Sequence, residues 1–417
     1  MKNSALQTKS QQNPKQNNEI SKDNEKSEIK RIYLDYAATT PIDPKVEEAM
    51  LPYLREKFGN AASLHSFGRE AYEALENSRA TIAQALGAKP KEIIFTASAT
   101  ESNNLTVKGI VFANKEKGNH IIISPIEHDC VLNSAKWLES KGFEITMLPV
   151  DKYGMVNPED VRNSIKKNTI LVSVMHANNE IGTIEPISEI GKICREKGVY
   201  FHTDAAQSFG KIPINVNDMH IDLLTASSHK MYGPKGAALL YVREGTKIEP
   251  ILHGGGHEFG LRSSTVNVAA IVGFAKAVEL CLAEMKKESE RQKRLRDILI
   301  KEILEKVPES YLNGHPKERL ANNANFRFDF VEGESIVMRL DAEGIAASTA
   351  SACSSPKLEP SHVLLACGIA PKEAHGSLRL SIGRFTKEED IQRVLEAVPK
   401  IVEQLRRISP FKNKFDD

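Results

Sequence analysis

From Arg31 onward, short apolar runs alternate with longer stretches in which apolar residues recur every three or four positions. The short runs predict buried strands, and the longer stretches predict amphipathic helices. The runs in the first part of the chain are EIIF (92–95), HIII (120–123), EITMLPV (144–150), ILVSVMHA (170–177), VYFHTD (199–204), IDLLTAS (221–227) and GAALLYV (236–242). Because continuous apolar strands separated by helices are typical of sheets buried on both faces, we predict an α/β fold with a mostly parallel central sheet.

A second, smaller alternation follows a long helical pattern that runs from about Val266 to Val307. Its segments are NFRFDF, a helix from Glu334, IAAST, a helix near Ser361, SLRLSIG and a last helix from Thr386. This pattern predicts a separate α+β domain. We therefore expect a large domain at residues 40–287 and a small domain formed by residues 31–39 and 288–417.

The first thirty residues are rich in Gln, Asn, Lys and Ser and contain no aromatic residue. Such a segment cannot bury enough apolar surface to fold, so we expect a disordered tail at residues 1–30. The segment has no apolar core of a signal peptide, and its acidic residues and lack of Arg do not fit a mitochondrial presequence.

The overall composition is that of an ordinary globular protein, with 41% hydrophobic and 27% charged residues. The net charge of +1 gives no reason to expect nucleic acid or an acidic membrane as a direct partner. No apolar run approaches the roughly 18 residues that a membrane-spanning helix needs.

The cysteines are odd in number and form no C-x-x-C pair; they are Cys130, Cys194, Cys281, Cys353 and Cys367. We expect neither a disulfide framework nor a metal site, and we predict a reducing, cytoplasmic compartment. Cys194, Cys281 and Cys367 lie among apolar neighbours and are predicted to be core residues. Cys353 differs, because the surrounding stretch STASACSSPKLEPSH offers it no apolar contacts.

Polar residues follow several of the predicted strands, at the edge where open α/β sheets bind their ligands. The residues concerned are those of TASATESNN, which opens a helix near Thr100, then His128, Asn178, Asn179, Glu180, Asp204, Gln207, Ser227, His229 and Lys230. Each alone is a weak signal, since Asp204 can be a helix cap and Lys230 a solvated loop lysine. Together they provide a phosphate cradle, a carboxylate, an aromatic base, an amide and a lysine, which is what pyridoxal phosphate requires.

With these motifs the chain resembles a cysteine desulfurase of the type that feeds iron–sulfur cluster assembly, a fold-type I pyridoxal phosphate enzyme of the class-V aminotransferase family. The resemblance covers nearly all of the chain from Arg31 to about Leu405. It is carried by YLDYAATTP, GNAASLHSFG, TASATESNN, EHD, MHANNEIG, DAAQSFGKIP, SSHKMYGPKG, GGGHE, LRSSTVNV, SACSSPKLEPSHVL and SLRLSIGRFT. It implies that the large domain binds pyridoxal 5'-phosphate and that the small domain carries a mobile cysteine loop at about residues 346–358.

The resemblance also implies roles for individual residues. Lys230 should form the Schiff base with the cofactor, Asp204 should pair with the pyridine nitrogen, and Gln207 should bind the ring hydroxyl. His128 should stack on the ring. The phosphate should be held by Ala99, Thr100, Ser227 and His229, and by Thr265 from the neighbouring subunit of a homodimer. Asn179, which also borders the cofactor, and Arg379 should bind the substrate carboxylate.

The implied reaction converts L-cysteine to L-alanine and leaves the sulfur on Cys353 as a persulfide. Lys230 would move the Cα proton and His128 would act as a local proton carrier. A small-residue loop suits a thiol that must reach the substrate and then pass its sulfur on. The chain departs from its relatives at Ala350 and Ser264, where they usually have Gly, and neither change removes a reacting group.

Alternative functions remain open at this point. A selenocysteine lyase or an aminotransferase can use the same fold, although an aminotransferase needs no loop thiol such as Cys353. An interaction protein that has lost activity is disfavoured by the intact Lys230, Asp204 and His128. A disulfide or metal role for Cys353 lacks a spaced partner. The sulfur acceptor is also open, and an iron–sulfur scaffold protein and a tRNA-thiolation relay are both compatible with the sequence.

Overall fold

The computed structural model describes residues 31–349 and 359–410, so the predicted tail and Cys353 lie outside the described residues. The strands are β1 (Ile32–Tyr33), β2 (Ile93–Thr96), β3 (His120–Ile123), β4 (Glu144–Met147), β5 (Thr169–Ser173), β6 (Tyr200–Asp204), β7 (Leu223–Ser227), β8 (Ala238–Val242), β9 (Ser310–Asn313), β10 (Asn323–Phe328), β11 (Ile345–Ala346) and β12 (Ser377–Ser381). The α-helices are α1 (Pro44–Arg55), α2 (Ser66–Leu86), α3 (Ala99–Ala113), α4 (Asp129–Glu139), α5 (Pro158–Ser164), α6 (Ile187–Lys197), α7 (Val268–Lys306), α8 (Gly333–Ala342), α9 (His362–Ala366), α10 (Pro371–Ala374) and α11 (Glu388–Ile408).

The central sheet has seven strands in the order β2-β8-β7-β6-β5-β3-β4. Neighbours from β7 to β4 pair in parallel, whereas β8 pairs antiparallel with both β7 and β2. All residues of β2, β3, β5, β7 and β8 are buried, which is the signature of a sheet covered on both faces. The predicted α/β fold with a mostly parallel sheet is therefore confirmed.

Helices cover both faces of this sheet, and alternate strand residues show it. In β3, Ile122 packs in one apolar cluster, whereas Ile121 and Ile123 pack in another. Because successive side chains of a strand point to opposite faces, the two clusters are the two layers of core on either side of the sheet. None of the helices in the described part of the chain is both long and apolar enough to cross a membrane.

A third large apolar cluster lies around the second half of α7. There Leu295 and Leu299 pack with Phe326 from β10, Leu378 from β12 and Val394 from α11. Strands β12-β10-β9 form an antiparallel sheet, and β1 pairs in parallel with β11. This part of the chain thus contains the helices and strands of the predicted second alternation, while the domain boundaries given above stay a prediction.

Candidate active site

The carboxyl ends of the central strands bring most of the predicted site residues to one edge of the sheet. Strands β3, β5, β6 and β7 are parallel, and β2 points the same way because both β2 and β7 are antiparallel to β8. At or just after these strand ends lie Ala99, Thr100, His128, Asn179, Asp204, Gln207, Ser227, His229 and Lys230. Residues that are far apart in the sequence thus lie together at one edge of the sheet, which is the edge where open α/β sheets bind their ligands.

A chain of hydrogen bonds connects Asp204 with His128. Asp204 is only 4% exposed, and Asn103 Nδ2 donates to its Oδ2 atom at 2.7 Å. The same amide lies 3.1 Å from Cys130 Sγ, which in turn lies 3.1 Å from His128 Nδ1. The sequence analysis missed Asn103 and Cys130 as site residues. Asn103 lies one helical turn after Thr100 and therefore on the same face of α3, which is a signal that helical spacing offers.

The N-terminus of α4 favours one tautomer of a neutral His128 imidazole. His128 is the N-cap residue of this helix, and its Nδ1 atom accepts a hydrogen bond from the Cys130 backbone N–H at 3.2 Å. A neutral imidazole that accepts at Nδ1 carries its proton on Nε2. His128 can therefore offer an N–H donor at Nε2. The neighbouring thiol stays protonated, because burial raises the pKa of Cys130 to about 12.

Lys230 and Gln207 both donate hydrogen bonds to the stretch YAATT (36–40). Lys230 Nζ donates to the carbonyl oxygens of Ala37 and Ala38 at 2.7 Å each, and Gln207 Nε2 donates to Ala37 O at 2.9 Å. On its other side, Gln207 Oε1 accepts from Lys211 Nζ at 3.4 Å. Burial, together with the charge of Lys230, lowers the pKa of Lys211 to about 7. The site thus contains a second amine that the sequence analysis did not assign.

The predicted phosphate end is formed by the start of α3 and the end of β7. The side chain of Ser98 accepts from the Glu101 N–H, while the N–H groups of Ala99 and Thr100 at the start of α3 have no acceptor within the helix. Thr100 is exposed in this first turn. Ser227 is buried at the end of β7, and His229 Nδ1 lies 3.1 Å from Thr39 Oγ1. Burial lowers the pKa of His229 to about 4, so this residue is a neutral hydrogen-bonding group.

These residues fit pyridoxal phosphate. The two oxygens of buried Asp204 accept hydrogen bonds from Asn103 and from the Ala206 backbone N–H, and both of these donors are neutral. A buried carboxylate is most stable beside a cation, which a protonated pyridine nitrogen provides. Lys230 would bond to the carbonyl carbon of pyridoxal phosphate, and Gln207 would bind its ring hydroxyl. The N-terminus of α3 suits the phosphate group.

Arg379 and Asn179, the predicted carboxylate-binding residues, are in contact. Arg379 is buried in β12, and its Nη1 atom donates to Asn179 O at 2.9 Å. Its Nη2 atom pairs with Asp35 Oδ1 at 2.8 Å, so part of the guanidinium is already engaged. Arg379 Nε is buried and finds no hydrogen-bond partner within residues 31–349 and 359–410. A buried donor without a partner is what a site for an incoming carboxylate leaves open.

Two predicted residues do not join this arrangement. Thr265 is exposed in the segment before α7, where it lines a surface cavity with Thr96 and Ala97. Its assignment to the phosphate of a neighbouring subunit stays a prediction, as does the role of Cys353, which lies outside the described residues. Within the ranges that the structure covers, no group of three or more His, Cys, Asp or Glu residues is arranged to hold a metal ion. Cys194, Cys281 and Cys367 are buried in apolar clusters, as predicted.

Comparisons with known proteins agree with this arrangement. The family model described as Aminotransferase class-V matches residues 32–394. The cysteine desulfurase IscS of Dictyoglomus turgidum is 54% identical over 386 residues, which is 93% of this chain and 98% of the relative. Among solved structures, a NifS-like protein gives a TM-score of 0.85 at 36% identity, covering 90% of this chain and 100% of the other. The structure of SspA in complex with cysteine gives a TM-score of 0.76 at 38% identity, covering 85% of this chain and 100% of the other. The chain therefore belongs to the aminotransferase class-V family, among the cysteine desulfurases.

Proposed function

We propose that the protein is a pyridoxal-phosphate-dependent cysteine desulfurase that converts L-cysteine to L-alanine and leaves the sulfur on Cys353 as a persulfide. The observation that carries the proposal is the strand-end arrangement in which Lys230 and Gln207 share the Ala37 carbonyl while Asp204 connects to His128 through two hydrogen-bonded neighbours. The relatives named as cysteine desulfurases support the same activity.

Bound pyridoxal phosphate supplies an electron sink that allows the Cα–H and Cβ–S bonds of a bound amino acid to break. The carboxylate of Asp204 favours the protonated ring nitrogen on which that sink depends. In this proposal Lys230 takes the Cα proton and returns it, and the position of its amine beside the Gln207 amide at the Ala37 carbonyl supports this role. Arg379 and Asn179 orient the substrate through its carboxylate.

In the sulfur-transfer step, the thiolate of Cys353 attacks the substrate sulfur. A sulfur–sulfur bond forms, the Cβ–S bond breaks, and the electron pair of that bond remains with the substrate carbon, which is protonated to give the methyl group of alanine. His128, with its proton on Nε2, is suited to exchange protons with the substrate sulfur. Cys353 then carries the sulfur until an acceptor thiol removes it.

We extend the proposal to the assembly and partners of the enzyme. A homodimer would bring Thr265 of one subunit to the phosphate of the other, in keeping with the exposed position of this residue. An iron–sulfur scaffold protein or another sulfur-acceptor protein would receive the persulfide. The odd number of cysteines in the sequence, together with the free thiols of the four cysteines that the structure describes, favours a reducing cytoplasm.

The experiment that tests the function combines purified enzyme with L-cysteine and follows alanine release and persulfide formation on the protein. We expect both products from the wild type and neither at a useful rate from Cys353→Ala. Cys194→Ala, which changes a buried cysteine of the core, is the matched control and should keep wild-type turnover per folded molecule. Equal turnover in the Cys353 variant and the wild type would contradict the proposal.

A further inference from the structure

The guanidinium of Arg379 is already paired with an acid from another part of the chain. Arg379 Nη2 lies 2.8 Å from Asp35 Oδ1, and the side chains of these two residues are 4% and 21% exposed. Arg379 Nη1 donates to the carbonyl oxygen of Asn179 at 2.9 Å, whereas the buried Nε atom has no hydrogen-bond partner within residues 31–349 and 359–410. An incoming substrate carboxylate would therefore meet a guanidinium that a carboxylate of the protein has already partly neutralised.

The backbone fixes Asp35 beside the strand that carries Arg379. Asp35 forms a bridge with Ser381, which comes two residues after Arg379 in β12 and therefore lies on the same face of that strand. The Asp35 carbonyl oxygen accepts hydrogen bonds from the Tyr33 hydroxyl and from the Ala38 N–H, at 3.0 Å each. Both residues of the ion pair are thus held by their backbones at positions from which the two side chains meet.

A second acid near Arg379 does not take over this pairing. Burial raises the pKa of Glu180 to about 7, although the Ser361 hydroxyl, which donates to its Oε2 atom, and the charge of Arg379 act in the opposite direction. In the part of the chain that the structure describes, Asp35 is the acid within ion-pair distance of Arg379. The charge that an incoming carboxylate meets beside this guanidinium is therefore that of Asp35.

The reaction leaves the group that Arg379 binds unchanged. L-Cysteine and L-alanine carry the same carboxylate and amine, and they differ only at Cβ, where the thiol is lost. A guanidinium that binds the carboxylate very tightly would hold the product as firmly as the substrate, and such uniform binding lowers KM without raising kcat. Asp35 opposes this effect, because its negative charge repels a second carboxylate at the same guanidinium.

We propose that Asp35 is a positioning residue that orients Arg379 and, by sharing its positive charge, weakens carboxylate binding enough for L-alanine to be released. The inference rests on the proposed function, in which Arg379 binds the carboxylate of both substrate and product. Asp35 acts through Arg379 and takes no part in breaking the Cβ–S bond. Removing the charge of Asp35 leaves a buried guanidinium without its anion, and this guanidinium should then bind an incoming carboxylate more tightly.

The test measures carboxylate affinity directly in the cofactor-loaded enzyme. Asp35→Asn keeps an oxygen acceptor for Arg379 Nη2 but removes the charge. We expect the dissociation constant of L-alanine, obtained from the absorbance change of the cofactor, to fall about threefold or more. L-Alanine should also raise the unfolding temperature of Asp35→Asn by more than that of the wild type at the same concentration, because tighter binding stabilises the folded state further. In turnover of L-cysteine, KM should fall in the variant and kcat should not rise.

Two controls separate this effect from a general disturbance of the site. Ethylamine, which is L-alanine without the carboxylate, should bind to Asp35→Asn within about twofold of its affinity for the wild type. Asp43→Asn removes the charge from a second pair of this kind, Asp43 with Arg384, and keeps a good N-cap for α1. This variant should bind L-alanine within about twofold of the wild-type affinity.

Each outcome decides for or against the role of Asp35. Unchanged or weaker binding of L-alanine to Asp35→Asn overturns it. Equal tightening for ethylamine, or for L-alanine in Asp43→Asn, overturns it as well, because the effect would then not act through the carboxylate and Arg379. If Asp35→Asn does not fold, Asp35→Ser, which also offers a neutral oxygen, provides the same comparison. A wild-type enzyme that releases no alanine from L-cysteine would contradict the proposed function instead, whatever the ligand affinities of the variants.

Discussion

Lys230 Nζ and Gln207 Nε2 donate to the same acceptor, the carbonyl oxygen of Ala37, at 2.7 and 2.9 Å. We propose that this amine and this amide bind two adjacent substituents of the cofactor ring. One backbone oxygen outside the large sheet therefore keeps the two side chains next to each other. Ala37 lies in a turn that begins at Asp35, the partner of Arg379. The residues proposed to bind the cofactor and those proposed to bind the substrate thus both contact the stretch between β1 and α1.

Replacing Lys230 should remove the covalent link to the cofactor. We expect Lys230→Ala to lack the absorption band of the lysine-linked cofactor, because Lys230 is the lysine that donates to the Ala37 carbonyl within residues 31–349 and 359–410. Lys235→Ala, an exposed lysine of the same loop, is the matched control and should retain the band. A lysine-linked band of normal intensity in Lys230→Ala would show that another lysine, with Lys211 the first to examine, carries the cofactor.

Removing Asn103 should weaken cofactor binding. Its amide donates to Asp204 Oδ2 and so orients the carboxylate that is proposed to pair with the ring nitrogen, and Asn103→Ala should therefore lower the affinity for pyridoxal phosphate. The measurement is a titration of cofactor-free protein followed by absorbance. Asn104→Ala is the control, since Asn104 Nδ2 donates to Thr100 O within the same helix. An equal loss in both variants would point to a disturbed helix rather than to the contact with Asp204.

The positions of the strands along the chain could be predicted from the sequence because the apolar runs are separated by clear helical patterns, whereas their order within the sheet was not predicted. Strand β3 has the predicted bounds, 120–123, whereas β4 ends at Met147 although the apolar run extends to Val150. The physical reason is pairing. Strand β4 lies at the edge of the sheet and bonds only to β3, so it ends where the partner strand ends, and β3 pairs no further than Ile123.

The site could be predicted in part. Residues at strand ends, such as Asp204 and Lys230, could be identified because a run of apolar positions precedes each of them in the sequence. The contact of Glu180 with Ser361 could not be found in this way, because it joins residues that are far apart in sequence and depends on how α9 packs beside the turn after β5. Cys130 was also missed, because nothing in EHDC distinguishes a site thiol from a core thiol before α4 brings it to His128.

The buried carboxylate of Glu127 should make the folded protein less stable as the pH rises. Burial raises the pKa of Glu127 to about 8 from an ordinary value of 4.5, so the folded state holds a proton that the unfolded state has already released. Between about pH 5 and pH 8 the unfolded state therefore binds fewer protons, and the free energy of unfolding falls with pH by up to about 1.4 kcal/mol per unit from this group.

Glu127→Gln removes this titration while keeping an acceptor for Ser124 Oγ and Met175 N–H. Denaturant unfolding of the cofactor-loaded wild type and variant at pH 5, 6, 7 and 8 should give a stability difference that shifts in favour of the variant as the pH increases. Glu244→Gln, in an exposed cluster with Lys89 and Lys91, serves as a control without this trend. Parallel stability curves for wild type and Glu127→Gln would mean that Glu127 is ionised in the folded protein.

The last prediction separates the proposed desulfurase from a selenocysteine lyase. Sulfur leaves a β-carbon poorly unless a partner accepts it, and in the proposed reaction the Cys353 thiolate is that partner. Selenium is softer and its acid is stronger, so it leaves with less assistance.

Cys353→Ala should therefore still bind L-cysteine, with the usual absorbance change, but release alanine at less than about one-hundredth of the wild-type rate, a loss typical of removing a nucleophile. The same variant should retain much of its activity on L-selenocysteine, because Lys230, Asp204 and His128 are unchanged. Alanine release from both substrates, measured side by side in wild type and variant, gives the answer. Equal losses on the two substrates would mean that Cys353 is needed for both, and unchanged activity on L-cysteine would mean that another group accepts the sulfur.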